Sequence, residues 1–120
     1  MGTYSKIVLS GSTDGRPIII TATAPSTANL IHTCVTGSAD SIDEVWIYAQ
    51  PQVTTALLFS LSLGPTTVTA RIRHTITADD KKGLVLVAPG LVGRASGVWG
   101  AWVTTTSIVE VWGFVNRYAS

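Results

Sequence analysis

Residues 42–50 read IDEVWIYAQ, and this stretch decides the fold class. Aliphatic side chains recur here at every second position from Val45 onward, which is the period of a β-strand. The alternation predicts that Val45 and Ile47 face a protein core. The opposite, outward face then carries Glu44, Trp46, Tyr48 and Gln50.

The composition of the whole chain extends this interpretation. Val, Ile and Thr account for 40 of 120 residues, whereas Glu, Lys and Gln together contribute seven. β-Branched side chains are stiff at χ1 and fit a pleated sheet better than a helix. No window shows an apolar stripe at helical spacing, so the sequence predicts an all-β protein.

Turn-forming residues divide the chain into short runs at the spacing typical of a sandwich or barrel. We therefore expect a single antiparallel β-sandwich domain over residues 1–120, jelly-roll-like and with about eight strands. Residues 1–12 form either its first strand or an extended arm. The predicted runs are 4–10, 16–23, 29–36, 42–50, 55–63, 68–77, 84–88, 97–105 and 108–118.

The last run is apolar on both faces. Val109, Val111 and Val115 share one face, and Trp112 and Phe114 share the other. A strand that is apolar on both sides is either deeply buried or in contact with another chain.

Large aromatic side chains on outward faces suggest an interface, because such residues are enriched at interface cores. Charged residues make up only 12% of the chain, about half the usual share, which also favours a homo-oligomer. A register slip of one residue would instead place the rings in an ordinary core. Arg71 and Arg73, on the polar face of one strand, form a predicted polar rim. The other interface candidates are Trp46, Tyr48, Trp112 and Phe114.

Charge and hydropathy argue against several other classes. The net charge of +1, without a basic stripe, argues against direct nucleic-acid binding. No stretch approaches the roughly 18 apolar residues of a membrane helix, so no membrane partner is expected. Residues 1–12 lack the apolar core of a signal peptide. We therefore expect a product made in the cytoplasm without processing.

Catalytic and metal-binding motifs are weak. Neither Gly11–Gly15 nor Gly93–Gly97 matches the Gly-x-Ser-x-Gly nucleophile elbow. Cys34 and His32 share a strand face, but a buried structural cysteine is the favoured interpretation. The two histidines, His32 and His74, lie on separate runs without carboxylates at ligand spacing. We predict a protein that is not an enzyme, with no metal and no cofactor.

Five segments carry a family resemblance: GRPIIITATA, LIHTCVTG, IDEVWIYAQ, LVLVAPGLV and VEVWGFVNRY. In general character the chain resembles the small virion proteins of tailed bacteriophages, above all capsid decoration or cement proteins. The resemblance implies a partner, the major capsid protein, and self-association, often as trimers. It also implies a location on the capsid surface of the virion, after synthesis in the host cytoplasm, and a role in stabilising the phage head.

Two other functions remain open. One is a carbohydrate-binding sandwich of a receptor-binding fibre, with Trp99 and Trp102 as the stacking platforms. The other is a small hydrolase, which would need a deep pocket that holds His32 or His74 beside a carboxylate.

Overall fold

A computed structural model describes residues 2–36, 40–51, 57–63, 71–76, 84–95, 97–103 and 109–119, with the side chains of Pro25, Leu57, Arg71 and Ile76 left aside. Nine strands and one short 3-10 helix, Pro25–Thr27, occur in this part of the chain. The strands are β1 (Thr3–Val8), β2 (Ile18–Ile20), β3 (Asn29–Thr33), β4 (Ile42–Pro51), β5 (Leu57–Leu63), β6 (Arg71–Ile76), β7 (Val85–Gly93), β8 (Val98–Val103) and β9 (Val109–Ala119).

Two antiparallel sheets are formed. The first has the strand order β1-β9-β4-β7, and β2 also pairs with β9, beyond the end of β1. The second has the order β3-β8-β5-β6. The predicted all-β sandwich is therefore confirmed.

The strand order is that of a jelly roll. β1 and β2 lie along the same side of β9, so together they act as one interrupted first strand. The first strand then pairs with the last, β3 with β8, β4 with β7, and β5 with β6. This is the pattern of one long hairpin rolled into two sheets, an arrangement that leaves few exposed sheet edges.

The core lies between the inner faces of the two sheets. β4 and β9 contribute alternate residues, with Val45, Ile47, Val111 and Val115 fully buried. From the second sheet, Phe59 joins the same cluster together with Leu61, Ala101 and Val103. The inward positions predicted for residues 42–50 are confirmed.

β7 is longer than predicted. The sequence places its end at Ala88, because Pro89-Gly90 is typical of a strand terminus, but the strand continues to Gly93. The register of the β4–β7 pair shifts twice, between Val45 and Trp46 and between Ile47 and Tyr48. These bulges accommodate Pro89 on an edge strand, where a missing N–H is tolerated.

No helix among the described residues is both long enough and apolar enough to cross a membrane.

Candidate functional site: an aromatic sheet face

Pairing of β4 with β9 brings the predicted aromatic residues together. Trp46 lies opposite Phe114, and Tyr48 lies opposite Trp112. All four side chains are half-buried and lie on the outer face of the first sheet. The rings of Trp46 and Phe114 are stacked, with centroids 6.1 Å apart and an interplanar angle of 9°. We call the outward surface of β1, β2, β4, β7 and β9 around these four residues the aromatic face.

The aromatic face is unusually apolar for an outer surface. Seven large hydrophobic side chains are exposed among the described residues, and five of them lie on this face by their cross-strand pairing. The most exposed is Tyr4, at 81%, which packs against Tyr118 with a centroid distance of 4.7 Å. The other four are Val8, Ile19, Leu86 and Val92.

A glycine in β7 makes room for the Trp46 indole. Gly90 has φ of +72°, in the left-handed region that favours glycine, and a Cβ at this position would lie 3.0 Å from Cζ2 of Trp46. The bulged strand thus lets the indole lie close against the backbone of β7, which fixes the ring in place.

A row of polar side chains crosses the aromatic face next to the stacked rings. Lys6 pairs with Asn116, and Asn116 pairs with Glu44 on its other side. Oε1 of Glu44 accepts hydrogen bonds from Nε1 of Trp46 at 2.7 Å and from Nδ2 of Asn116 at 3.2 Å. These two bonds hold the pKa of Glu44 below its ordinary value. Nζ of Lys6 lies 4.3 Å from the centroid of the Phe114 ring, a cation–π contact.

An open cavity of about 480 Å³ lies along this polar row. Its walls combine an aromatic ring with groups that donate and accept hydrogen bonds. The lining residues are Tyr4, Ser5, Lys6, Glu44 and Asn116.

The residues predicted as a polar rim do not border the aromatic face. Arg73 lies on β6, opposite Ser60 of β5, and is therefore on the outer face of the second sheet. The backbone of Arg71 lies on the same strand, whereas its side chain is outside the described part. The prediction fails in position because alternation assigns a side chain to one face of its own strand and does not reveal which sheet contains that strand.

The two tryptophans suspected as sugar platforms are buried. Trp99 belongs to the core cluster, and Trp102, on the outer face of β8, is only 4% exposed. A stacking platform must offer an open ring face, so neither indole can serve as one.

A buried polar network ties β3, β4 and β9 together, and the sequence analysis missed it. Asp43 is fully buried, and its carboxylate accepts two hydrogen bonds from Arg117, from Nε at 2.7 Å and from Nη2 at 2.8 Å. Nε2 of His32 lies 2.6 Å from Oδ2 of Asp43, and the backbone N–H of Val35 donates to the same oxygen at 3.0 Å.

The network contains a neutral histidine. The backbone N–H of Ser10 donates to Nδ1 of His32 at 3.0 Å, so Nδ1 carries no proton and Nε2–H is the donor to Asp43. Burial alone would raise the pKa of Asp43, but hydrogen bonds from Arg117 and His32 outweigh it and hold the pKa below its ordinary value.

The arrangement around His32 is that of a structural clamp. Both ring nitrogens are occupied, by Asp43 and by the Ser10 backbone, so neither is placed to take a proton from a nucleophile. Burial, together with the nearby Asp43 carboxylate, raises the pKa of the Cys34 thiol to about 11. The thiol therefore stays protonated near neutral pH, and the structural interpretation of Cys34 is favoured.

His74 is half-buried on β6, opposite Phe59. Within the described ranges, no three His, Cys, Asp or Glu side chains converge as metal ligands.

Comparison with known proteins gives no relatives: no family model, no curated protein and no solved structure matches the chain.

Proposed function

We propose that this chain is a non-enzymatic structural protein of a virion, a decoration or cement protein that self-associates and binds the major capsid protein on the head surface. The observation that carries the proposal is the aromatic face. It exposes five large hydrophobic side chains around four half-buried aromatic rings. A concentration of exposed apolar side chains on one face of a small protein indicates an interaction site.

The character of the face fits a permanent contact better than turnover. The rings are held by pairing between central strands, by the stacking of Trp46 on Phe114 and by the Trp46–Glu44 hydrogen bond. Rings fixed before association lose little conformational entropy when a partner covers them. A cementing subunit needs such a rigid, complementary surface and no reactive group.

The fold is compatible with this role by analogy. Jelly rolls are found in viral capsid domains and in lectins. A fold alone does not assign a function, so the weight of the proposal lies on the aromatic face and on the scarcity of charge, 12% of residues.

Co-sedimentation with capsid shells tests the proposal. The chain is co-produced with the major capsid protein encoded in the same genome, and assembled shells are pelleted through a sucrose cushion. We expect the wild-type chain to pellet with the shells at a fixed stoichiometry. If the chain stays in the supernatant while shells assemble normally, the decoration role is wrong.

A second function is favoured by the cavity beside Tyr4. An exposed tyrosine ring next to a lysine, a carboxylate and an amide offers the stacking and hydrogen bonds that a sugar ring needs. In this carbohydrate-binding alternative, Tyr4 takes the place of the buried Trp99 and Trp102 as the stacking platform. It predicts binding on a glycan array that is lost in Tyr4→Ala and retained in Thr75→Ala, a change on the other sheet. An array without signal removes this alternative.

A further inference from the structure

The polar row on the aromatic face has opposite charges at equal distances from its centre. Asn116 lies on β9, with Lys6 on one neighbouring strand and Glu44 on the other. Adjacent strands are about 4.8 Å apart, so the two charged positions flank β9 symmetrically. Within the described part of the chain, no ion pair joins Lys6 to Glu44.

We propose that the aromatic face is covered by the same face of a second copy of this chain, related by a two-fold axis that runs along β9 between the two faces. The inference rests on the self-association in the proposed function and adds its geometry. Rotation about this axis exchanges the two sides of β9. It places Lys6 of each copy opposite Glu44 of the other, so that two identical ion pairs form. A two-fold interface must be self-complementary in this way.

The two rows that flank the charged row are compatible with the same axis, whereas farther along β9 the axis brings Glu110 of the two copies together, which opposes association at that end. Phe114 is central in its row and meets Phe114 of the other copy, while Trp46 meets Val8, its counterpart on the opposite side of β9. One row beyond the charged row, Tyr118 is central, and the exposed ring of Tyr4 lies over Ile42 of the other copy. In these rows, therefore, apolar or aromatic side chains meet one another.

The size of the overlap suits a weak, reversible pair. An axis on β9 matches β4 of one copy with β1 and β2 of the other and leaves β7 outside the contact, so three strand positions overlap. At about 4.8 Å each, over the roughly 33 Å length of a ten-residue strand such as β4, they cover about 480 Å² per copy. The total of about 950 Å² lies below the standard range, among weak and transient interfaces.

Charge reversal followed by mixing tests the arrangement. Lys6→Glu places two anions at each contact, and Glu44→Lys places two cations there, so each variant alone is expected to dimerise at least about 10-fold more weakly than wild type. In an equimolar mixture, the glutamate introduced in one variant faces the lysine introduced in the other, and the two unchanged residues, Glu44 and Lys6, also face each other. The mixture is expected to form heterodimers with an affinity close to that of wild type, measured by sedimentation velocity with one variant labelled.

Controls separate association from folding. Thermal unfolding of each variant must resemble that of wild type, and Arg73→Glu, an equal charge reversal on the other sheet, should leave dimerisation unchanged. The inference is overturned if the mixture forms no heterodimer, or if each variant alone dimerises as tightly as wild type.

The oligomer mass gives an independent test. The trimer implied by the resemblance to decoration proteins does not arise from a two-fold contact, so a wild-type mass of three chains also overturns the inference. Co-sedimentation with capsid shells is interpreted separately. Shell binding without charge-dependent pairing would retain the proposed function, and pairing without shell binding would retain only the dimer.

Discussion

Replacing Asp43 with asparagine is expected to lower the free energy of unfolding by about 3 kcal/mol, with a fall in Tm of roughly 10 °C. The Asp43 carboxylate is the acceptor in all four of its hydrogen bonds: two come from Arg117, one from His32 and one from the Val35 backbone. The introduced side-chain amide would direct its own N–H bonds at one of these donors and would leave the Arg117 charge without a counter-ion. Because Arg117 is 28% exposed, water offsets part of the loss, and the lower end of the range for broken buried pairs applies.

The same substitution should remove part of the acid sensitivity. The folded-state pKa of Asp43 lies below its ordinary value of 3.8, so at pH values near 4 the unfolded chain binds more protons at this site. The contribution of the ionised Asp43 carboxylate to stability is therefore fully present above about pH 4 to 5 and is lost as the pH falls through the folded-state pKa. We expect the stability difference between wild type and Asp43→Asn to shrink progressively below about pH 4.

Urea unfolding at several pH values measures both effects. Asp14→Asn is the matched control, since Asp14 is exposed and has φ of 53°, which asparagine also tolerates. It should change stability by less than about 0.5 kcal/mol. A loss in Asp43→Asn no larger than in the control would show that the network does not hold the strands together.

Phe114→Glu is expected to weaken self-association by about 30-fold or more. Phe114 lies on the central strand of the aromatic face, stacked on Trp46 and beneath the Lys6 ammonium group. Residues at the centre of an interface carry most of its binding energy, about 2 kcal/mol or more for an aromatic anchor. A carboxylate there would also be desolvated when a second copy covers it.

Thr75→Glu serves as the control for this substitution. It introduces the same carboxylate at an exposed outward position of β6, in the other sheet, and should leave association unchanged. Both affinities come from sedimentation equilibrium, with circular dichroism to confirm folding. Equal dissociation constants for the two variants would mean that the contact lies elsewhere.

Much of the fold follows from local pattern. The period of two in residues 42–50 and 108–118 is sufficient to predict which side chains of β4 and β9 face outward, because a strand side chain has only two directions to take. The end of β7 does not follow in this way. Pro89-Gly90 usually ends a strand. Only the register of the β4–β7 pair shows that the strand continues past these residues by means of a bulge.

The site is less predictable because it depends on which strands are neighbours. The outward rings of Trp46 and Phe114 become one surface only when β4 pairs with β9, and Tyr4 and Lys6 join it only through β1. Strand alternation cannot supply this pairing. The sequence pattern therefore groups Arg73 with the rings, although Arg73 lies on the other sheet.

A signal for the buried network was nevertheless present. Asp43 is at one of the alternate positions of β4 that face the core, as are Val45 and Ile47. Arg117 is at a core-facing position of β9, as is Val115. A charged residue at an inward-facing position requires a buried partner of opposite charge, so alternation marks Asp43 and Arg117 as candidates for such a pair, although it does not show that their strands are neighbours.

Sedimentation velocity of the purified wild-type chain, from roughly 1 to 100 µM, tests most directly whether the aromatic face is an interface. We predict a species heavier than the 12.6 kDa monomer, with a fraction that rises with concentration. A single 12.6 kDa species over the whole range would contradict the account.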